Sequence, residues 1–518
     1  MLKGTTHRKV YVFFISCLAA SITLGKVPMS VSLIGLTLNW ILELDFQIKG
    51  KKIKDQKYLA IIFSGLFLIE FFWLPISKDT TIGLNVLRIK LPLLLLPLII
   101  GSCTSFSKRE WKIIITTFFI GILVSTIWVY LVSLEVLPTK KDSGTIRDAS
   151  IFMSHIRYSV LLSFSTVLIL CLAFKNLINK LIAVIIFLWL GFLIFKLATI
   201  TAILGLSFSL VFLFIAFLFS SKNKNKIVYI AGIASLFFLV GLYITATVKD
   251  FYHVKSKERS LLTYSIGGEK YQLDFKDNTT ENGFYLWENI AQKELERCWN
   301  RKSKFSFTSK DKKKQPVKAT LYRFLTSKGL HKDSVGLSNL TQNEIQKIEN
   351  GETSSVSYNN FEKRIRSLLY QKESRKKNSD SNNQTINQRV VFWKAGIDIF
   401  LNQPAFGYGP GGAKTQYKKY YKNRNTNLNK SNQLLAHNQF ITQAINLGAL
   451  GIIIWIFVLF YSFIKVEKGM LLFFVPYLIL MFFAFMSDDM LEVQAGVTIF
   501  SFFGTLMLFY NSKRLETS

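Results

Sequence analysis

The chain has 518 residues, of which half are hydrophobic, and 46 residues are phenylalanine. This composition excludes an ordinary soluble protein and predicts an all-α polytopic membrane protein. A formal net charge of +32 would suggest a nucleic-acid partner in a soluble chain, but no nucleic-acid motif is present and the charge lies in loops between apolar runs. Membrane lipids with anionic head groups and phosphate-bearing substrates are the expected partners, and no nucleic acid is expected.

A membrane helix needs about 20 apolar residues, and counting such runs predicts roughly twelve transmembrane helices. The predicted spans are residues 10–25, 27–45, 58–76, 86–103, 113–133, 156–174, 181–196, 199–219, 227–247, 438–463, 470–486 and 493–510. The chain therefore divides into an N-terminal membrane region (1–247), a large polar region (248–436) and a C-terminal membrane region (437–518).

Short basic loops set the predicted orientation. With the N-terminus inside, the loops at 47–57, 105–112, 175–180, 220–226 and 464–469 and the C-terminal tail with Lys513 and Arg514 all fall on one side. The positive-inside rule makes that side cytoplasmic. Both termini are then cytoplasmic, whereas residues 135–155, 248–436 and 487–492 lie outside.

The large outer region is expected to be a mainly helical extracytoplasmic domain. Residues 281–302 have helical composition, Thr341 to Glu344 form a capping box that opens a short helix closed by Gly351, and residues 359–377 have an apolar helical face. The lysine-rich stretch 310–314 is expected to be a solvated turn.

His437 stands where the polar region ends and an apolar run begins. An ionisable residue at the end of a membrane helix is a functional candidate, although it could also be a simple interfacial cap. Histidine is the side chain that titrates near neutrality without help. Gly448 and Gly451 follow one helical turn apart and would let another helix pack closely.

A second candidate begins at Arg389 and Trp393, which share a predicted helix. The turn-rich stretch 404–412 follows, and its glycines would allow the backbone to approach a ligand. This stretch lacks the Gly-Lys-Ser/Thr ending of a nucleotide-binding loop. Basic and aromatic residues then alternate over 414–421, which suits phosphate and sugar, or equally an ordinary amphipathic helix at the membrane interface.

The third candidate is a set of cations predicted at the outer ends of spans. Arg157 opens one span, Arg88 and Lys90 open another, and Lys196 is a weaker example. The planar guanidinium of arginine suits phosphate oxygens, although Arg157 could instead extend to lipid head groups. Glu70 lies within a span, so it is expected to face a partner or a cavity.

These residues resemble the O-antigen ligase and polymerase superfamily of bacterial membrane glycosyltransferases. The ligase motif is His, then Asn, Ser or Gln, nine further residues, and Gly-x-x-Gly, and it is matched by His437, Asn438, Gly448 and Gly451. The family also has an upstream Arg and Trp followed by Pro-x-x-Gly-x-Gly. Its counterparts are Arg389, Trp393, Gly407 and Gly409, and the insert at about 250–385 resembles that of Bacteroidetes-type members.

The resemblance implies a GT-C-like fold and a metal-independent, inverting glycosyltransferase without a cofactor. It implies transfer of a glycan from undecaprenyl diphosphate to a sugar hydroxyl of lipid A–core, at the periplasmic face of the bacterial inner membrane. His437 would be the base and Arg389 would bind the donor diphosphate. The second arginine of the ligases has no counterpart at 199–202, so Arg157, Arg88 or Lys196 would replace it.

Other functions remain open at this point. A polysaccharide polymerase, or an oligosaccharyltransferase that modifies protein hydroxyls, would use the same donor and differ only in acceptor. A transporter is less favoured, because no internal repeat or pair of broken helices is apparent.

Overall fold

A computed structural model of the chain describes residues 4–134, 136–137, 150, 153–220, 226–255, 262–274, 277–376, 385–424, 426 and 428–510. The predicted C-terminal tail lies outside these residues, as do parts of the predicted loops 135–155 and 220–226 and of the polar stretch 377–388.

The fold is mostly helical, as predicted, and the elements are numbered in chain order. The helices are α1 (Gly4–Ser21), α2 (Lys26–Leu42), α3 (Phe46–Asp55), α4 (Leu59–Trp73), α5 (Thr80–Lys90), α6 (Pro92–Ser102), α7 (Lys108–Ser133), α8 (His155–Phe174), α9 (Lys180–Leu197), α10 (Ile200–Ser220), α11 (Lys226–Tyr252), α12 (Gln292–Lys302), α13 (Val317–Ser327), α14 (Ser334–Ser338), α15 (Gln342–Glu349), α16 (Asn360–Lys376), α17 (Thr385–Asn402), α18 (Gly412–Asn423), α19 (Gln439–Lys465), α20 (Leu471–Ser487) and α21 (Gln494–Leu508). Two short strands, β1 (Thr280–Glu281) and β2 (Phe284–Tyr285), form a hairpin.

A helix, or a broken pair of helices, occupies each of the twelve predicted spans. Among the described residues, however, eight helices are long and apolar enough to cross a membrane, or up to nine if α2 and α3 form one bent span. The last predicted span shows one reason for the lower number, because α21 is apolar but only 15 residues long. The structure thus supports a multi-pass helical membrane protein, and twelve spans remain a prediction.

The chain forms two compact units. The first contains Met1–Leu137, Ser150–Ser221 and Gln388–Ser518, and the second contains Pro138–Ala149 and Lys222–Asn387. This division follows contacts in space, whereas the three regions predicted from the sequence follow the path of the chain across the membrane. Those three regions, and the side of the membrane on which each loop lies, stay predictions.

In the first unit, α4 packs between α6 and α19, and α20 packs against α8 and α10. Aromatic rings from α4, α7, α8 and α21 pack together in the interior of this unit. The ring of Phe503 lies 4.5 Å from that of Phe164 and 5.0 Å from that of Phe118, and Phe63 stacks on Phe500. Large rings contribute contact area at little conformational cost, which gives the high phenylalanine content a structural role.

Several helices are broken, which is not apparent from the sequence. α5 and α6 meet at Pro92, whose ring removes a backbone donor. α2 and α3 bend by 106°, and α19 contains a non-helical residue at Gly448. No pair of broken helices was apparent in the sequence, so these breaks are a finding of the structure, and no internal repeat accompanies them in the sequence.

A buried charge cluster joins α4, α5 and the segment between α20 and α21. Nζ of Lys90 lies 2.5 Å from Oε1 of Glu70 and 3.0 Å from Oε1 of Glu492, and the Lys90 and Glu70 side chains are fully buried. The expectation that Glu70 faces a partner is confirmed. The expectation that Lys90 helps to bind an anionic ligand is wrong, because its ammonium group is already held between two carboxylates of the chain itself.

The second unit contains a helical core that the sequence predicts in part. Trp299, Leu321, Phe324 and Leu337 are among the side chains buried where α12 to α15 meet. The capping box is present at Thr341 and Glu344. α16 confirms the helix predicted over 359–377.

The predicted helix at 281–302 is correct only from Gln292 onward. Before it, Asn282 and Gly283 both have positive φ, 52° and 85°, and join β1 to β2. Asn-Gly is the commonest pair in such tight hairpin turns, so the turn chemistry overrides the helical composition. The stretch 310–314 is a turn, as predicted, but the Asp311 side chain is buried and accepts hydrogen bonds from Gln315 N and Thr320 Oγ1.

Candidate functional site

His437 and Asn438 directly precede α19, and hydrogen bonds fix the chain on either side of His437. The Asn438 side chain accepts hydrogen bonds from two amides of the first turn, at 3.0 and 3.3 Å, and so caps the helix. The Trp393 indole donates to the carbonyl oxygen of Ala436 at 3.0 Å. Between these two anchors, His437 has φ of 46°, a left-handed conformation that is uncommon for residues other than glycine. Such strain marks functional sites when the surroundings enforce it.

Two adjacent carboxylates face His437 from the segment between α20 and α21. Nδ1 of His437 lies 3.7 Å from Oδ1 of Asp488 and 3.9 Å from Oδ2 of Asp489. The His437 backbone amide donates to Oδ2 of Asp489 at 3.1 Å, and Thr442 Oγ1 donates to its Oδ1 at 2.6 Å. The two carboxylates therefore face the Nδ1 edge of the imidazole.

The start of α19 also holds the segment between α20 and α21, through a hydrogen bond to a backbone amide of that segment. The buried side chain of Gln439 accepts a hydrogen bond from the Leu491 amide at 2.7 Å. The next residue, Glu492, is bound to Lys90, so two neighbouring contacts fix the segment directly after the two aspartates. The aspartates are therefore placed by α5 and α19 together.

Two arginines approach the same segment. Nε of Arg157 lies 2.8 Å from Oδ2 of Asp488, and its Nη2 donates to Oδ1 at 3.1 Å. Nη2 of Arg389 donates to the Ser487 carbonyl oxygen at 2.8 Å. Within the described part of the chain, no carboxylate lies within 4 Å of the Arg389 guanidinium. Arg157 is therefore partly neutralised, while Arg389 keeps more donors for an external anion.

The electrostatic surroundings separate the two aspartates. Burial raises the pKa of Asp488, but contact with His437 and the charge of Arg157 outweigh it, so that this pKa lies below its ordinary value. Burial raises the pKa of Asp489 to about 6, aided by the neighbouring Glu492 and Asp488 charges. Burial also lowers the pKa of Arg389, and the two aspartates only partly offset this. The cluster therefore keeps Asp488 ionised beside the imidazole.

The backbone of the glycine-rich loop packs onto the break in α19. Gly409 N donates to the Asn446 carbonyl oxygen at 2.8 Å, and Ala449 N donates to the Pro404 carbonyl oxygen at 2.7 Å. Gly448 has φ of 66°, and a Cβ there would lie 2.4 Å from the Ala405 carbonyl oxygen. The glycines therefore let this backbone approach another backbone closely, and the predicted approach of the loop to a ligand stays a prediction.

The motif glycines therefore serve this packing in different ways. A Cβ on Gly407 would lie 2.5 Å from Gly448 N. Gly448 interrupts the helix to receive the loop, not to admit another helix as predicted. Gly451 does face a helix, since a Cβ there would lie 3.5 Å from Ile69 of α4. The Trp73 indole closes the junction by donating to the carbonyl oxygens of Phe406 and Leu447.

The alternating basic and aromatic residues on α18 divide between two faces. Tyr417 and Tyr421 are buried, and their hydroxyls donate to the carbonyl oxygens of Phe392 and Leu434. Tyr417 therefore fixes α18 beside α17, and Tyr421 fixes α18 to the segment that precedes α19. Lys419 is exposed and Tyr420 is half-buried on the other face.

The structure thus brings together three of the predicted site residues, His437, Arg389 and Arg157. Among the described residues, no hydrogen bond or ion pair joins Arg88 to this group, and Arg88 is exposed on α5. Nζ of Lys196 lies 5.1 Å from the centre of the Tyr130 ring. The roles predicted for Arg88 and Lys196 in diphosphate binding stay untested predictions.

Sequence reasoning missed Asp488, Asp489 and Thr442. A signal exists for the aspartates, because two adjacent acidic residues at the end of an apolar span are rare and often functional. The described residues contain no group of three or more His, Cys, Asp and Glu side chains that could hold a metal ion. The cluster instead combines one imidazole, two carboxylates and two guanidinium groups, which suits proton transfer beside a bound anion.

Comparison with protein families gives a match for part of the chain. The model of the O-antigen ligase family matches residues 341–456, and no curated protein matches the chain. The matched part includes Arg389, Trp393, the glycine-rich loop and His437, but not Arg157 or the two aspartates. It supports an O-antigen ligase- or polymerase-type function. The match over residues 341–456 therefore confirms the resemblance of this chain to the O-antigen ligase superfamily.

Proposed function

We propose that the protein transfers a glycan from undecaprenyl diphosphate to a sugar hydroxyl of lipid A–core, at the periplasmic face of the inner membrane. The observation that carries this proposal is the grouping of His437 with Asp488 and two arginines, inside and beside the segment that matches the O-antigen ligase family.

In the proposed reaction, His437 is the general base. The carboxylates face its Nδ1, so Nε2 is the nitrogen that would take the acceptor proton. Asp488 would then stabilise the imidazolium that forms, because an ionised carboxylate favours the charged ring. Asp489 and the caps of α19 hold the imidazole in place without contacting the substrate.

Arg389 would bind the diphosphate of the donor. Its Nη2 is occupied by a carbonyl oxygen, which leaves other N–H groups for phosphate oxygens. The acceptor oxygen would attack the anomeric carbon opposite the leaving group, so a C–O bond forms while the bond to the diphosphate breaks, with inversion. Guanidinium groups would stabilise the negative charge that develops on the leaving group, and no metal ion takes part in the proposed step.

The same donor chemistry would serve a polymerase that extends repeat units, and the two differ only in acceptor. The surface polysaccharide of a deletion strain distinguishes them. If the protein is a ligase, the deletion strain should accumulate lipid-linked polymer and should have unmodified lipid A–core. A polymerase predicts single repeat units on the core, and that result would reject the ligase assignment.

Replacing Arg389 by Gln is expected to raise KM for the lipid-linked donor by about 10- to 100-fold, since a hydrogen bond to a charged group contributes about 1.5–3 kcal/mol. Arg389→Lys should restore only part of this, because an ammonium group lacks the planar pair of donors. The assay is glycan transfer in proteoliposomes with varied donor concentration. Lys394→Gln removes the same charge from an exposed position on α17 and should leave KM unchanged. Equal KM values for wild type and Arg389→Gln would reject the diphosphate role.

A further inference from the structure

A cavity of about 600 Å³ opens at the C-terminal ends of α17 and α18, next to the turn that precedes α5. Its volume is in the range of small-molecule sites. Neither His437 nor Arg389 lines it, so it is separate from the group that would carry out the transfer. The residue composition of its walls indicates which kind of ligand it would bind.

Hydrogen-bonding side chains line the cavity on both helices. Asn402 on α17 and Gln416 and Asn423 on α18 each contribute an amide. A side-chain amide has an NH2 group that donates and an oxygen that accepts, so it can act as donor or as acceptor to a hydroxyl group. Such a set of groups is suited to a ligand with many hydroxyls.

Two tyrosines contribute to the cavity wall and are held in position. Tyr420 donates its hydroxyl hydrogen to Oδ2 of Asp398 at 2.8 Å, and Tyr408 donates to the Ile399 carbonyl oxygen at 3.3 Å. Because the hydroxyls are occupied, the rings are fixed and present apolar surface beside the amides. A sugar has the same combination of apolar C–H faces and polar edges.

The cavity also has an excess of positive charge. Lys78, Lys419 and Arg424 line it together with one acidic residue, Asp398. Nη1 of Arg424 lies 3.2 Å from Oδ2 of Asp398, so this pair is internally compensated. In the described part of the chain, neither lysine is paired with a carboxylate. Two positive charges therefore remain for an external anion.

We propose that this cavity binds an acidic oligosaccharide segment, one whose sugars carry carboxylate or phosphate groups. The inference rests on the proposed glycan transfer, because the segment would belong to the donor or the acceptor glycan. Asp398 follows Arg389 by nine residues on α17, about 14 Å along the helix axis at 1.5 Å per residue. A glycan bound at both places would extend away from the reacting bond along α17.

The binding test uses the purified full-length protein in detergent, titrated with a galacturonic acid hexamer and with neutral maltohexaose. The acidic hexamer should bind wild type more tightly than the neutral one. Lys78→Gln/Lys419→Gln, which removes the two unpaired charges of the cavity, should weaken binding of the acidic hexamer at least about tenfold, since each charge-assisted contact adds to affinity. Lys418→Gln/Lys422→Gln removes the same charge from exposed positions on α18 outside the cavity and should bind like wild type.

Several results would overturn the inference. These are no binding of the acidic hexamer, equal binding of both hexamers, or equal loss in both double variants. Displacement of the hexamer by micelles containing phosphatidylglycerol would assign the site to lipid head groups and would also overturn it.

A transfer assay then identifies the source of the bound segment. Lys78→Gln/Lys419→Gln should raise KM for the donor or for the acceptor, whichever supplies the acidic glycan, with kcat unchanged. If both KM values are unchanged, the inference fails. His437→Ala should keep wild-type binding of the acidic hexamer, so failure of the proposed base and failure of the cavity inference give different results.

Discussion

Replacing His437 by Ala is expected to slow glycan transfer about 10²- to 10⁴-fold, the usual contribution of a general base. The imidazole faces the two carboxylates through Nδ1 and remains accessible, with 37% of its side chain exposed. Without it, the acceptor hydroxyl would keep its proton while it attacks. The measurement is the rate of transfer from purified lipid-linked donor in proteoliposomes, with protein amount and thermal stability checked in parallel.

The left-handed backbone at residue 437 makes a second variant necessary. Asn tolerates this conformation better than Ala does, so His437→Asn should fold at least as well and be equally slow. His253→Ala removes an exposed histidine of the second unit and should transfer at the wild-type rate. Wild-type activity in His437→Asn would reject the base assignment.

The second large effect is expected at Lys90. Lys90→Met leaves Glu70 without its buried partner and should lower the free energy of unfolding by about 3–5 kcal/mol, as for other broken buried ion pairs. It should also reduce transfer, because Glu492 would lose the contact that fixes the segment with Asp488 and Asp489. Thermal unfolding in detergent and the transfer assay measure these two effects.

The double variant Lys90→Met/Glu70→Gln separates charge from packing. It should be more stable than Lys90→Met alone, because no unpaired carboxylate remains on α4. Lys112→Met changes an exposed lysine on α7 and should leave stability near that of wild type. If Lys90→Met were as stable as Lys112→Met, the buried cluster would not have the structural role assigned to it.

The parts of the site that are close in sequence could be predicted from it. His437 and Asn438 stand at a change from polar to apolar residues, and the family motif adds Arg389 and Trp393. The indole of Trp393 proved to hold the residue before His437, a role that spacing alone does not indicate.

The parts that depend on contacts between distant segments could not be predicted. Asp488 contacts His437 although 51 positions separate them in the sequence. Lys90 and Glu492 are close only in the folded helix bundle. The glycine-rich loop has the composition of a ligand-binding loop, yet Gly407 is packed against the break in α19 at Gly448, and Gly409 is packed against the Ser77 backbone. A high glycine content predicts that other atoms can approach the backbone closely. Which atoms do so depends on the tertiary structure.

The proposed reaction requires His437 to face the periplasm, where the lipid-linked donor and its acceptor would meet. The direct test is a His437→Cys variant in which the four native cysteines, Cys17, Cys103, Cys171 and Cys298, are replaced by Ala. A membrane-impermeant maleimide added to intact spheroplasts should label Cys at position 437. Labelling that appears only after the membrane is permeabilised would contradict transfer at the outer face.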